Sequence, residues 1–113
     1  MDYKQFQDCI DACYKCAAEC DNCATACLKE PDVKMMERCI ELDLLCADIC
    51  RLAAAAMARA DEHTVDYVKQ ICGLCATICD ACGEECAQHE AEHCQRCATA
   101  CKQCAEECRR MSA

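Results

Sequence analysis

The chain has 113 residues, which bounds it to one domain spanning 1–113, and 19 of them are cysteine, about 17% where roughly 8–10% already marks an unusual class. Acidic residues outnumber Lys and Arg by 21 to 12, for a formal charge of −9, which excludes a phosphate-binding surface and so a nucleic-acid partner. The longest apolar run, Leu52 to Ala58, is far below the ~20 residues of a membrane span, so no membrane partner is expected.

The opening segment, MDYKQFQDCIDACYKC, has no basic stretch followed by an apolar one and is read as lacking an export signal. A reducing, cytoplasmic location is expected. A secreted disulfide scaffold fits poorly, because the cysteine count is odd and Gly73, Gly83 and Pro31 are the only helix breakers, whereas such scaffolds are rich in loops.

A first helix is predicted over 2–28. It carries Cys9, Cys13, Cys16, Cys20, Cys23 and Cys27, and gaps of three and four keep these side chains on one stripe. Lys29-Glu30-Pro31-Asp32 then breaks the pattern, with Pro31 suited to the first turn of the next helix.

The second helix is predicted over 32–59 and holds only Cys39, Cys46 and Cys50. Asp43 stands where a cysteine would continue the stripe. At about 100° per residue it lies about 40° from Cys39, with Leu42 about 60° away on the other side. Asp43 is read as exposed; a carboxylate touching whatever the cysteines bind is the alternative.

Asp61 suits the cap of a third helix over 63–87, with Cys72, Cys75, Cys79, Cys82 and Cys86 on its stripe. A break around Gln88-His89-Glu90 is required, because the cysteines on either side otherwise cannot form one core. The fourth helix, over 91–110, carries Cys94, Cys97, Cys101, Cys104 and Cys108.

Helices of this length with short connections run antiparallel to their neighbours, so the fold class is all-α, an up-down four-helix bundle with a cysteine-lined core. Neutral thiols behave as small hydrophobes and pack. Leucine at the same positions buries more apolar area, however, so packing alone does not select cysteine at every inward position.

Thiolates favour Cu(I), zinc and iron–sulfur clusters. Ferredoxin-type ligand runs lie on loops and commonly end in cysteine-proline, and this chain has neither feature. A zinc centre with four thiolates carries net −2, and several of them bury a large charge with no inward Lys or Arg to offset it. Cu(I) is monovalent and is held by two or three bridging thiolates, so about one Cu(I) per Cys gives a neutral core. Each incoming ion displaces a thiol proton.

Four helices with repeated CxxxC and CxxC spacings, together with EAEHCQRCATACKQCAEEC leading into the fourth, resemble the bacterial copper storage proteins over essentially the whole chain. With no export signal before Cys9, the cytosolic branch is the better match. The resemblance implies a homotetramer of four-helix bundles, each storing or buffering many Cu(I) ions along its axis and performing no catalysis. Expected partners are further copies of the chain and a copper chaperone or efflux protein. Metallothionein-like zinc buffering, copper detoxification without release and a thiol redox role are the alternatives.

One end of such a bundle gathers Met35, Met36, Cys27, Cys39, Cys86, His89, His93 and Cys94. Thioether and imidazole are exchangeable ligands for a soft ion, so copper is expected to load there. Solvated loop histidines and ordinary methionine packing are the competing readings. The other end gathers Phe6, Ala53, Met57, Val65, Val68 and Met111 and reads as a hydrophobic plug with His63 at its rim. Two apolar rows beside the seam, Leu45, Ile49 and Leu52 on the second helix and Tyr67, Ile71, Leu74 and Ile78 on the third, suit a self-complementary interface. Packing between adjacent helices is the competing reading.

Overall fold

The computed structural model describes residues 2–113. Four α-helices follow one another: α1 Gln7–Cys27, α2 Glu37–Ala58, α3 Val65–Ala87 and α4 Glu92–Ser112. Each has an acidic residue in its first turn, Asp8, Glu37, Asp66 and Glu92, where negative charge offsets the helix dipole. α4 also ends on Arg109 and Arg110, the matching arrangement at a C-terminus.

The expected boundaries hold to within two residues except that α1 and α2 each begin five residues late, and these differences have local causes. α1 and α2 are each preceded by a four-residue 3-10 turn, Tyr3–Phe6 and Val33–Met36. An aspartate side chain caps each turn: Asp2 accepts from the Lys4 amide and Asp32 from the Met35 amide. Pro31 therefore does not sit in the first turn of the second helix; it lies in the bend before Asp32. Asp61 is also displaced from its expected role. Its Oδ1 accepts from the His63 and Thr64 amides at 2.9 and 3.1 Å, shaping a turn, and α3 begins only at Val65. The break at 88–90 is present as expected, between Ala87 and Glu92.

Register follows from the sulfurs. Cys9, near the start of α1, lies 3.7 Å from Cys108 near the end of α4, while Cys23 near the end of α1 lies 3.8 Å from Cys94 at the start of α4. On the other side Cys39 at the start of α2 meets Cys86 at the end of α3 at 3.4 Å, and Cys50 meets Cys75 at 3.7 Å. Neighbouring helices are thus antiparallel, α1 against α2 and α4, α3 against α2 and α4. The molecule measures 49 × 18 × 17 Å, a narrow rod with the thiols along its axis. Among the described residues, no helix is long and apolar enough to cross a membrane.

α3 and α4 approach closely beside Gly83, where an added Cβ meets the Cys101 Cβ at 3.2 Å and the Ala98 carbonyl oxygen at 3.6 Å. A branched side chain there must push the helices apart or distort the thiol seam. Gly83→Val is expected to destabilise the metal-free protein by about 1–3 kcal/mol in urea unfolding, the usual cost of overpacking. Equal or greater stability contradicts this close approach.

Candidate metal centre

The spacing of three and four puts every cysteine on the inner face of its helix, and all 19 are free thiols with 0–1% exposure. Their sulfurs are 3.4–4.0 Å apart in neighbouring pairs. They fall into groups of four whose Sγ atoms all lie within 4.8 Å of one another. Along the axis these are Cys13, Cys75, Cys104 and Cys108; Cys16, Cys50, Cys79 and Cys104; Cys16, Cys20, Cys46 and Cys101; Cys20, Cys82, Cys97 and Cys101; and Cys23, Cys27, Cys39 and Cys94. Cys9 joins the first through Cys108, and Cys86 joins the last through Cys39. Cys72 is buried on the same stripe of α3.

Sharing is the informative feature. Cys16, Cys20, Cys101 and Cys104 each belong to two groups, so the first four groups form one chain of donors rather than separate tetrahedra, and the fifth adjoins it through Cys86, 4.0 Å from Cys82 and 3.4 Å from Cys39. Four isolated thiolates suit one zinc ion; a run in which one sulfur faces two neighbouring positions suits a monovalent soft ion bridged from site to site.

Burial keeps the outermost thiols of the metal-free tube protonated. It pushes the Cys27 thiol up and the Cys94 thiol up to about 11, so neither carries charge near neutral pH. Metal binding must therefore displace protons.

Asp43 corrects the sequence reading. It is not exposed: its side chain is fully buried, with Oδ1 accepting from Cys82 at 3.2 Å and from Cys86 and Cys97 at 3.3 Å, and Oδ2 accepting from Cys39 at 3.7 Å. The cause is register. Positions 39, 43, 46 and 50 repeat the 4-3-4 gaps of Cys9, Cys13, Cys16 and Cys20, so Asp43 takes a seam position and Leu42 flanks it. Burial lifts its carboxyl from the usual 3.8 to about 10. The acid is neutral in the metal-free core, which removes the charge cost that made an inward Asp look unfavourable.

At the end formed by the α1–α2 and α3–α4 connections, both histidines are largely buried rather than solvated. His89 is 11% exposed, with Nε2 2.8 Å from Glu85 Oε2; His93 is 14% exposed, with Nε2 2.9 Å from Glu30 Oε1. His93 Nδ1 faces the tube, 3.4 Å from Cys23 Sγ and 3.6 Å from Cys94 Sγ. The two methionines divide: Met36 is buried, and Met35 is 63% exposed. Both line a cleft of about 380 Å³ together with Glu30, Gln88, His89 and Glu90.

The opposite end is closed as expected. Phe6, Ala53, Met57 and Val68 are buried, Val65 and Met111 are half-buried, and His63 is exposed. Along the sides, Leu45, Leu52, Tyr67 and Leu74 are 47–66% exposed and Ile49, Ile71 and Ile78 are half-buried. Packing between helices of this chain therefore leaves much of the two apolar rows uncovered.

The comparisons with known proteins agree with this geometry. The solved Cu(I)-bound copper storage protein of Bacillus subtilis is 48% identical, superimposes with a TM-score of 0.87, and is matched over 95% of this chain and 97% of its own. A cytosolic copper storage protein from Streptomyces lividans, solved with five coppers, is 40% identical with a TM-score of 0.93, over 98% of this chain and 94% of its own. The same Streptomyces protein has been solved loaded with 10 copper equivalents, at a TM-score of 0.92, 40% identity and coverage of 96% of this chain and 84% of that one. The uncharacterized cysteine-rich protein YhjQ of B. subtilis is 50% identical over 49 residues, a stretch that spans 43% of this chain and 45% of that protein. The profile of the copper storage proteins matches residues 2–113. With its sealed tube of thiols and this match from one end to the other, the chain belongs to the copper storage protein family.

Proposed function

We propose that this protein stores or buffers many Cu(I) ions in the cytosol, about one per Cys, each bridged by two or three thiolates along the bundle axis. The carrying observation is the sharing of sulfurs between successive four-thiol groups. A neutral thiol core also gains no net charge when each Cu(I) replaces one proton, whereas a series of zinc tetrathiolates accumulates −2 at every site with no buried cation nearby. The ligands are the 19 cysteines of the seam, and Asp43, with three thiols on one oxygen, is a further donor once metal has displaced its proton. No catalytic step is assigned; the metal is cargo.

Loading takes place at the end that holds Met35, Met36, His89 and His93, because the other end is plugged by Phe6, Met57 and Val68. A copper chaperone or efflux protein would exchange metal at that same mouth. The half-exposed leucines and Tyr67 on α2 and α3 support self-association through these helices, with a tetramer as the expected assembly. The cytosolic location rests on the likeness to the Streptomyces protein.

Anaerobic titration with Cu(I) under a competing chelator tests the reading. Its expected endpoint is close to one ion per thiolate, with zinc unable to displace copper.

A further inference from the structure

Glu30 lies in the connection between α1 and α2, yet its carboxylate reaches the first turn of α4, 63 residues away in sequence, with Oε1 2.9 Å from His93 Nε2. A carboxylate only accepts, so His93 must donate from Nε2, which leaves Nδ1 of the neutral ring as the acceptor, facing thiols that metal can replace. That nitrogen is the one turned inward, 3.4 Å from Cys23 Sγ and 3.6 Å from Cys94 Sγ, while the two sulfurs are 3.8 Å apart. One nitrogen and two sulfurs thus converge at the outermost four-thiol group, beside Cys27 and Cys39.

The contact decides more than ring position. An imidazole free of Glu30 takes either tautomer, and the one with hydrogen on Nδ1 presents a donor, not a lone pair, to an arriving cation. A ring that gives its second N–H to a carboxylate is held in one orientation and is a more basic metal ligand; removing such a partner typically costs 10–100-fold in metal affinity or activity. Glu85 in the last turn of α3 grips His89 just beyond the end of that helix, four residues on in sequence. Glu30 comes from a different segment, so its grip on His93 exists only in the folded bundle.

We propose that Glu30 is a positioning residue for copper uptake: it fixes His93 so that Nδ1, with Cys23 and Cys94, forms a three-donor receiving site at the mouth of the tube. The inference rests on the copper-storage reading above.

The test combines the rate of anaerobic Cu(I) transfer from a coloured chelator with nitrogen-15 NMR of the His93 ring in the metal-free protein. Glu30→Ala is expected to slow uptake about tenfold, to leave the final copper number unchanged, and to convert a single Nε2–H pattern into a tautomer mixture. Glu30→Gln, whose amide oxygen can still accept, is expected to recover most of the rate and the tautomer. In a His93→Ala background Glu30→Ala should add nothing. Glu62→Gln, an equal charge change at the far end where Glu62 is 76% exposed, should load at the wild-type rate. Unchanged uptake in Glu30→Ala, the same slowing in Glu62→Gln, or full slowing in the absence of His93 overturns the role assigned to Glu30. Failure of the wild-type protein to hold copper against the chelator overturns the storage reading and this inference with it.

Discussion

Between pH 5 and pH 7, below the range in which the unfolded thiols ionise, the metal-free protein is expected to lose about 2–3 kcal/mol of stability, and Asp43→Asn is expected to abolish most of that loss. The Asp43 carboxyl is raised from 3.8 to about 10 by burial. The folded chain therefore keeps a proton that the unfolded chain gives up above about pH 4. The stabilisation from that proton is complete below the unfolded value and disappears as pH rises through about 10. In between, each pH unit removes on the order of 1 kcal/mol, since one more proton is bound in the native state. The amide of Asn has nearly the same shape and no titration, so its unfolding free energy should be flat across the same interval. Anaerobic urea unfolding of both proteins at pH 5, 6 and 7 makes the comparison. Parallel slopes for wild type and variant contradict a buried neutral acid at position 43.

Removing one shared layer of thiols gives the second large effect. Cys16, Cys20, Cys46 and Cys101 form a four-sulfur group near the middle of the rod, and three of them, Cys16, Cys20 and Cys101, also serve adjacent groups. With one monovalent ion per thiolate, changing all four to Ala should remove about four Cu(I) from the total bound. With tetrahedral centres, four thiolates account for one metal, and the loss should be about one. Each substitution also leaves a small void and costs roughly 1 kcal/mol or more, so the circular dichroism spectrum of the variant must first show the helices intact. The double variant Cys16→Ala/Cys46→Ala, expected to lose about two ions, is the gentler form. Metal per folded chain, measured after chelator challenge, separates the two outcomes.

Much of the architecture was legible because a single residue type marks the seam. Gaps of three and four locate α1, α3 and α4, and the clusters' ends locate the connections, so the antiparallel bundle follows from spacing and connection length alone. The 3-10 turns were not anticipated. Their signal is an aspartate two or three residues before the amide it caps, Asp2 with Lys4 and Asp32 with Met35, which a search for α-helical periodicity passes over.

Asp43 was misjudged for a different reason. Its place in the 39, 43, 46, 50 series is visible in the sequence, but an ionised carboxylate belongs outside. Burial among thiols changes the group itself, turning it into a neutral acid that accepts from its neighbours. The histidine pairs divide along similar lines. Glu85 and His89 are four residues apart across the end of α3 and can be paired from their spacing; Glu30 and His93 meet only because α1 and α4 are antiparallel and adjacent.

The central claim is that cuprous ions and thiolates neutralise one another along the whole tube. Counting bound copper and released protons together, in an anaerobic pH-stat titration carried to saturation, tests it most directly. The expected result is a total near one Cu(I) for each of the 19 cysteines and close to one proton released per ion. Saturation near one metal per four thiolates, with several protons released for each, would contradict it.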